Sequence, residues 1–516
     1  MTTRYSPEDL TLYLLDCKQV EFKDYATHKL PHARVIAIES EREFGLSVLR
    51  HLNSELDFRK TEFSSAGETS LSSYRSKTGR PMPRIVLIID EFQELLNSDD
   101  ALAREAANIL DRLVRLGRAL GINVILASQT LAGQTTLQAS TRNQIPVRII
   151  LQCSESDSVL ALSQDNNEAR LLERPGEAIY NSANGRREGN NRFQVTWLSD
   201  EALESLLNQI SGQAVKQKFT APAPQVIFDG NSMADIRQNN RIAGILRKEI
   251  SLNGKGGVSA YLGEPIEMKE ATAAIFKKQS RSNLLVLGQN EYEQSCVSML
   301  MAGIASIAIQ QPPEAARFII LNLADSSAEW GQLPEIFKKS FPHQIDLITK
   351  AELNEKLGEL AALVEKKATE TTPTQDAAVY LIIFGLHRER NLRKVDGGFR
   401  TSKPDAAKTL SGAELLSKIC REGSSYGIHC LIWCDTFSNF DRVFQRNDLE
   451  EFSLRVALQM SESDSRSFLD SDDASRLGNH RAIFFDDEKN GRLEKFRPYS
   501  PVSASWFQEV AEQLSK

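Results

Sequence analysis

The chain repeats itself. "IPVRIILQCSESDSVLAL" at Ile145–Leu162 returns as "FSLRVALQMSESDSRSFL" at Phe452–Leu469, so that Arg148 matches Arg455 and Asp157 matches Asp464, each 307 positions on. Upstream, "LGRALGINVILASQT" returns as "GSSYGIHCLIWCDT" with Gly121 on Gly427, and "LYLLDCK" faces "FIILNLAD" with Asp16 on Asn322, both at a shift of 306. A spacing that holds over most of 516 residues means two copies of one domain. The length is ample for two domains with cores of their own.

Each copy alternates short β-branched runs with longer amphipathic segments. In the first copy the strand candidates are Leu12–Leu15, Arg34–Ile38, Ile85–Ile89, Asn123–Ala127 and Val147–Gln152. Between them "DALAREAANILDRLVRLGRALG" sets Leu110, Leu113, Val114 and Leu120 at helical spacing, with Asp99 and Asp100 suited to the positive end. Strand–helix alternation predicts an α/β fold, a mainly parallel sheet flanked by helices, twice over. Glu62–Pro83, polar and rich in glycine and serine, reads as a surface loop. The expected organisation is a first domain over 1–215, a linker over 216–258 and a second domain over 259–516.

The strongest chemical signal is "RIVLIIDEFQELL", Arg84–Leu96, in which an apolar strand runs into Asp90 and Glu91. Such a pair serves either as a helix cap or as the carboxylates of a nucleotide-hydrolysing strand (Walker B). The second reading demands a phosphate loop, GxxxxGK[ST], straight after another strand. The second copy offers "NLLVLGQNEYEQSC": counted from Gly288, Glu293 stands where the second glycine belongs, Gln294 at the lysine and Ser295 at the serine. Register survives and chemistry does not, because Glu293 sets a carboxylate against phosphate oxygens and Gln294 removes the neutralising charge. The acidic pair has gone as well, replaced by Phe384 and Gly385 in "VYLIIFGLHRERN". The second copy therefore reads as fold-retaining and hydrolysis-dead. Applying the repeat shift to the first copy places its phosphate loop about a dozen residues ahead of Met1, in a longer chain or in a separate phosphate-loop-bearing polypeptide.

Other residues exclude more than they assign. Cys17, Cys153, Cys296, Cys420, Cys430 and Cys434 form no paired CxxC units, so neither a zinc site nor a disulfide framework is expected, and Cys430 and Cys434 read as buried strand residues. No stretch approaches the roughly 20 apolar residues of a membrane span, and the start "MTTRYSPEDLTLY" has no signal-peptide layout. A cytoplasmic protein is expected, with membrane association only through further segments or partners. A net charge of −7 argues against nucleic acid coating the whole surface, but is silent on a basic loop in a pore. Arg186, Arg187, Lys277 and Lys278 read as exposed turns. "NGKGG" at Asn253–Gly257 lacks phosphate-loop spacing and reads as a turn. Arg148 is expected in a structural ion pair with Asp157 or its neighbours.

Taken in order, "LLDCKQVEFKDY", "IIDEFQELL", "LGRALGINVILASQT", "NQIPVRI" and "RPGEAIY" resemble the FtsK/SpoIIIE branch of the HerA/FtsK superfamily of RecA-like motor ATPases. The resemblance spans nearly the whole chain as two tandem RecA-like domains, the second eroded. It implies ATP and Mg²⁺ as cofactors: Asp90 would hold Mg²⁺ through water, Glu91 would be the general base, and Gln129 would sense the γ-phosphate. Arg118, or Arg115, would be an arginine finger reaching into a neighbouring subunit, although both suit the solvated face of a helix. A homo-oligomeric ring moving duplex DNA is the implied machine. The alternatives are a secretion ATPase of the EccC/EssC kind moving protein or peptide, and a non-hydrolysing scaffold that needs a partner to supply the phosphate loop.

Overall fold

The computed structural model describes residues 1–18, 21–131, 137–250, 256–370, 376–394, 410–489 and 491–514. The chain divides into two compact units, Met1–Asn231 and Ser232–Lys516.

Unit 1 contains β1 (Leu10–Asp16), β2 (Ala33–Ile38), β3 (Arg84–Asp90), β4 (Ile122–Leu126), β5 (Arg148–Leu151), β6 (Glu177–Asn181), β7 (Asn190–Gln194) and β8 (Val226–Asp229). β1 to β4 and β8 form a parallel sheet in the order β4-β3-β1-β2-β8, while β5-β6-β7 form a separate antiparallel sheet. Three of its helices matter here: α1 (Arg42–Ser65), α2 (Leu71–Thr78) and α3 (Ala101–Leu120). α3 is the amphipathic segment read from the sequence. Asp100 caps it by accepting the Ala103 N–H at 2.8 Å, Gly121 ends it at φ +77°, and Leu110, Leu113 and Leu120 are buried.

Two expectations need correction. Glu62–Pro83 is not a loop: its first residues finish α1, and Leu71–Thr78 forms α2. Ser70 caps α2, Gly79 closes it in the left-handed region, and buried Tyr74 stacks on Phe63 with ring centroids 4.7 Å apart. Two apolar anchors outweigh a polar composition. The stretch expected to be a linker is also structured, since Val226–Asp229 becomes β8 beside β2, and Asn240–Leu246 is a short helix of unit 2. Of "NGKGG", residues 253–255 lie outside the described residues.

Unit 2 holds β9 (Val258–Pro265), β10 (Thr272–Phe276), β11 (Leu284–Leu287), β12 (Ala316–Asn322), β13 (Gln344–Ile348), β14 (Ala378–Phe384), β15 (Ile428–Cys434), β16 (Leu454–Ala457), β17 (Ala482–Asp486) and β18 (Arg492–Pro498). They make one sheet, β10-β9-β18-β17-β16-β11-β15-β14-β12-β13, parallel from β16 through β13. From β11 the chain enters α4 (Glu293–Gln310), which is buried along nearly its whole length. By length and composition Asn290–Gln310 passes as a membrane span, contrary to the sequence expectation, yet 83% of its apolar window is buried inside the unit. It is a core helix wrapped by the sheet and by neighbouring helices.

The repeat explains the difference between the sheets. β12, β13, β14 and β15 correspond to β1, β2, β3 and β4 in that order, and β16-β17-β18 correspond to β5-β6-β7. Unit 1 has no described counterpart of β11, which sits between β15 and β16. Its position in unit 1 is the break between the two sheets, and the flanking side chains show it. Ile125 is 44% exposed and Ile149 and Leu151 are 58% and 51% exposed, whereas their repeats Leu431, Val456 and Leu458 are 0%, 0% and 2% exposed. In unit 2, Leu431 and Val456 lie on strands paired to β11, opposite Leu284 and Val286.

Candidate functional site

The carboxyl ends of parallel strands are where α/β sheets bind ligands. In unit 1 that edge carries Asp90 at the end of β3 and Asp16 at the end of β1, in direct register with each other. Asp16 is fully buried, and its two oxygens accept the backbone N–H groups of Lys18 (3.0 Å) and Glu21 (2.8 Å). Burial, and then the charge of Asp16, push the Asp90 carboxyl above its usual range. A cluster of oxygen donors whose charges repel each other is suited to a hard divalent cation, so Asp90 fits the role of Mg²⁺ ligand.

Glu91 is buried and sits at φ +49°, ψ +46°, in the left-handed region. A non-glycine residue there costs about 1–2 kcal/mol. Its repeat position in unit 2 is Gly385 at φ +82°, so the turn is common to both units and only unit 1 keeps a carboxylate on it. The Gln93 side-chain amide donates to Glu91, and Gln93 Oε1 is buried with no hydrogen-bond partner among the described residues. The Phe92 N–H donates to Ala127 O at 3.2 Å, which ties this turn to the end of β4 and the loop that carries Gln129. That loop is further held by Asp157, which accepts from Thr130 Oγ1 at 2.9 Å and from the Leu131 N–H at 2.7 Å.

Asp90, Glu91 and Gln129 therefore share one end of the sheet. Arg115 and Arg118 do not: they lie in the last turns of α3, next to where β4 begins, at the opposite end. Both are exposed, and Arg115 pairs with Asp111 one turn earlier at 2.7 Å. Neither can act on the carboxylates of its own unit. Arg148 is also not as expected. Its guanidinium donates to the carbonyls of Ile145 (3.3 Å), Ala161 (2.9 Å) and Arg142 (3.3 Å) and has no carboxylate partner among the described residues. Arg455 repeats this on Phe452, Phe468 and Leu449. The matched arginines are carbonyl clamps joining a strand to the turn after the next helix.

In unit 2 the same strand ends hold different groups. Phe384 is buried where Asp90 stands, Gln294 points to solvent and Ser295 is half-buried. Glu293 opens α4 and is gripped by Arg388, with Nη2 to Oε2 at 2.7 Å and Nη1 to Oε1 at 3.1 Å. Gly288 O accepts the Trp433 indole N–H at 2.9 Å. His387, Cys434 and Asp435 crowd together in the manner of a metal site, but their donors are already used. The Asp435 N–H occupies His387 Nδ1 at 3.2 Å, Thr436 and Asn439 occupy Asp435, and burial raises the Cys434 thiol pKa. Sequence reasoning left Asp16, Arg388 and Trp433 out of the sites. Asp16 was recoverable from the strand repeat, whereas the two others have no counterpart chemistry in the first copy.

Residues 1–133 match the sequence profile of the FtsK/SpoIIIE family. That stretch holds β1 to β4 with Asp90 and Glu91. The chain is 22% identical over 321 residues to the DNA translocase FtsK of Streptococcus pyogenes serotype M3 (strain SSI-1), covering 60% of this chain and 36% of that protein. FtsK of Streptococcus agalactiae serotype V is 24% identical over 218 residues, which cover 40% of this chain and 26% of that protein. The chain thus spans about a third of these relatives. Among solved structures, the cytoplasmic domain of the Thermomonospora curvata type VII secretion ATPase EccC superposes with TM-score 0.62 at 17% identity, over 100% of this chain and 60% of that one. ATPases 2 and 3 of EssC from Geobacillus thermodenitrificans superpose with TM-score 0.57 at 14% identity, over 97% and 87%. Both likenesses establish the fold: mixed α/β, with large, mainly parallel sheets of the RecA-like P-loop ATPase kind.

Proposed function

We propose that this chain is part of an ATP-driven FtsK/SpoIIIE-like motor, in which unit 1 supplies the hydrolytic carboxylates and unit 2 is catalytically silent. The observation that carries this reading is Glu91, buried beside Asp90 on a strained turn that unit 2 fills with glycine. Strain of this kind is kept where the side chain has work to do.

Asp90 would hold Mg²⁺ through water; bound MgATP supplies the phosphoryl group. Glu91 takes the proton of the attacking water while the Gln93 amide holds its carboxylate, and the Lys18 and Glu21 N–H groups hold that of Asp16. Gln129, on the loop tied to Glu91 through Phe92, is placed to report on the terminal phosphate. The phosphate loop would enter as a strand between β4 and β5, covering Ile125, Ile149 and Leu151 as β11 and α4 cover their repeats. Arg118 and Arg115, remote from their own carboxylates, suit action on a neighbouring subunit in a ring.

Duplex DNA is the proposed cargo, supported by the DNA translocases that match in sequence. Protein cargo is the second reading, supported by the tandem arrangement, which runs the full length of the EccC superposition and leaves one unit without carboxylates. The test is ATP hydrolysis by the native gene product, including any residues encoded upstream of Met1, with and without duplex DNA. DNA-stimulated hydrolysis abolished by Glu91→Gln supports the motor and its cargo. Hydrolysis indifferent to DNA turns the cargo to protein, and a gene product that lacks hydrolysis altogether leaves only the scaffold.

A further inference from the structure

The crevice of unit 2 at the ends of β11, β14 and β15 corresponds to a nucleotide site, yet Glu293, Arg388 and Trp433 fill it with contacts to one another and to the surrounding loops. Glu293, 9% exposed at its side chain, lies in the first turn of α4, where backbone N–H groups and the helix dipole attract anions. Its carboxylate takes both arms of the Arg388 guanidinium and the Asp325 N–H at 2.6 Å. Arg388 also donates to Leu323 O at 2.8 Å and Asn290 Oδ1 at 3.0 Å, joining the loops after β11, β12 and β14. The fourth side is Trp433 at the end of β15, where unit 1 has Ala127. Its ring lies 5.4 Å from the Arg388 guanidinium carbon and 5.4 Å from the His387 ring, and its N–H holds the Gly288 carbonyl.

We propose that Glu293, Arg388 and Trp433 form an internal plug that takes the place of nucleotide, so that unit 2 binds no ATP and keeps one closed arrangement of its strand-end loops. The carboxylate stands in for a phosphate, the guanidinium for the cations that would neutralise it, and the indole fills the space that an alanine leaves open. A triphosphate entering here would meet a buried like charge and would have to break a bidentate pair that crosslinks three loops. Unit 2 is then a permanently set part: its loops do not follow the ATP state of the protein. This inference rests on unit 2 alone and stands whether or not unit 1 hydrolyses ATP.

Hydrogen exchange on the full chain tests it, with and without millimolar MgATP, read on peptides covering residues 288–296 and 384–389. In the wild type we expect MgATP to leave both peptides unchanged. Arg388→Met and Glu293→Gln should each speed exchange there by roughly tenfold or more, the effect of losing a buried hydrogen bond to a charged group. The double variant should add little to either, because both remove the same pair. Arg388→Lys, which keeps the charge and loses the fork, serves if Arg388→Met does not fold, and should still loosen both peptides. MgATP-dependent protection of 288–296 in the wild type, or additive effects of the two substitutions, overturns the plug. Failure of unit 1 as an ATPase would appear separately, in the peptide over 84–91 and in turnover.

Discussion

Glu91 offers a test of backbone strain that does not depend on activity. Truncating it to alanine or to glycine removes the same carboxylate and the same hydrogen bond from Gln93, so the comparison of the two variants isolates the backbone. At φ +49° an alanine keeps the left-handed cost of about 1–2 kcal/mol, which glycine escapes. Glycine in turn loses about 0.4–1 kcal/mol through the greater freedom of its unfolded chain. The net expectation is that Glu91→Gly is more stable than Glu91→Ala by about 0.5–1 kcal/mol, the reverse of the order at an ordinary position. The control is Ala119→Gly, at an exposed position in the last turn of α3, which should be destabilising by about 0.5–1 kcal/mol. The assay is native-state hydrogen exchange of the β3 amides, which report opening of unit 1, with thermal shifts of about 2–4 °C per kcal/mol as support. If Glu91→Ala equals or exceeds Glu91→Gly in stability, the turn is not strained and the main support for a catalytic Glu91 is lost.

Three further outcomes are expected. Gly385→Ala should cost unit 2 about 1 kcal/mol, because the added methyl meets only ordinary contacts, 3.4 Å to Arg388 Cδ, and the penalty is the backbone alone; calorimetry of the unit 2 transition measures it. Asp90→Asn should stabilise unit 1 near neutral pH. Since the folded carboxyl is raised, the folded state binds the extra proton and stability falls as pH rises through its range, so denaturation midpoints of variant and wild type should converge on acidification and a widening gap refutes the shift. Leu151→Ala should change the stability of this chain by about 0.5 kcal/mol or less, whereas its repeat Leu458→Ala should cost about 2–5 kcal/mol, compared by chemical denaturation.

The repeat made most of the fold legible before any coordinates. β1 to β4 fall within a few residues of the apolar runs, and α3 carries the expected cap and stripe, because strand and helix periods are local properties. Glu62–Pro83 reads as a loop because it is polar and rich in serine and glycine, while a few residues, Phe63, Leu71 and Tyr74, decide its burial. The site was legible where chemistry follows a strand end, as at Asp90, and illegible where partners come from afar. Arg148 lies beside a repeated aspartate in sequence, yet its guanidinium reaches carbonyls, a choice set by the turn geometry. Arg388 and Trp433 became visible only once three loops were seen to meet.

α4 sets a problem for biosynthesis. It leaves the ribosome as an apolar segment resembling a membrane anchor, directly after β11, but the strands that flank β11 are encoded far downstream. β15 ends at Cys434, nearly 150 residues after Leu287. At about 5–20 residues per second, the nascent chain carries α4 without its final sheet for roughly 7 to 30 seconds. During that interval the segment is a substrate for whatever binds exposed apolar helices, chaperone or membrane-targeting machinery alike. Folding of unit 2 is consequently a race against capture, one that slower translation between β12 and β15 would make harder to win.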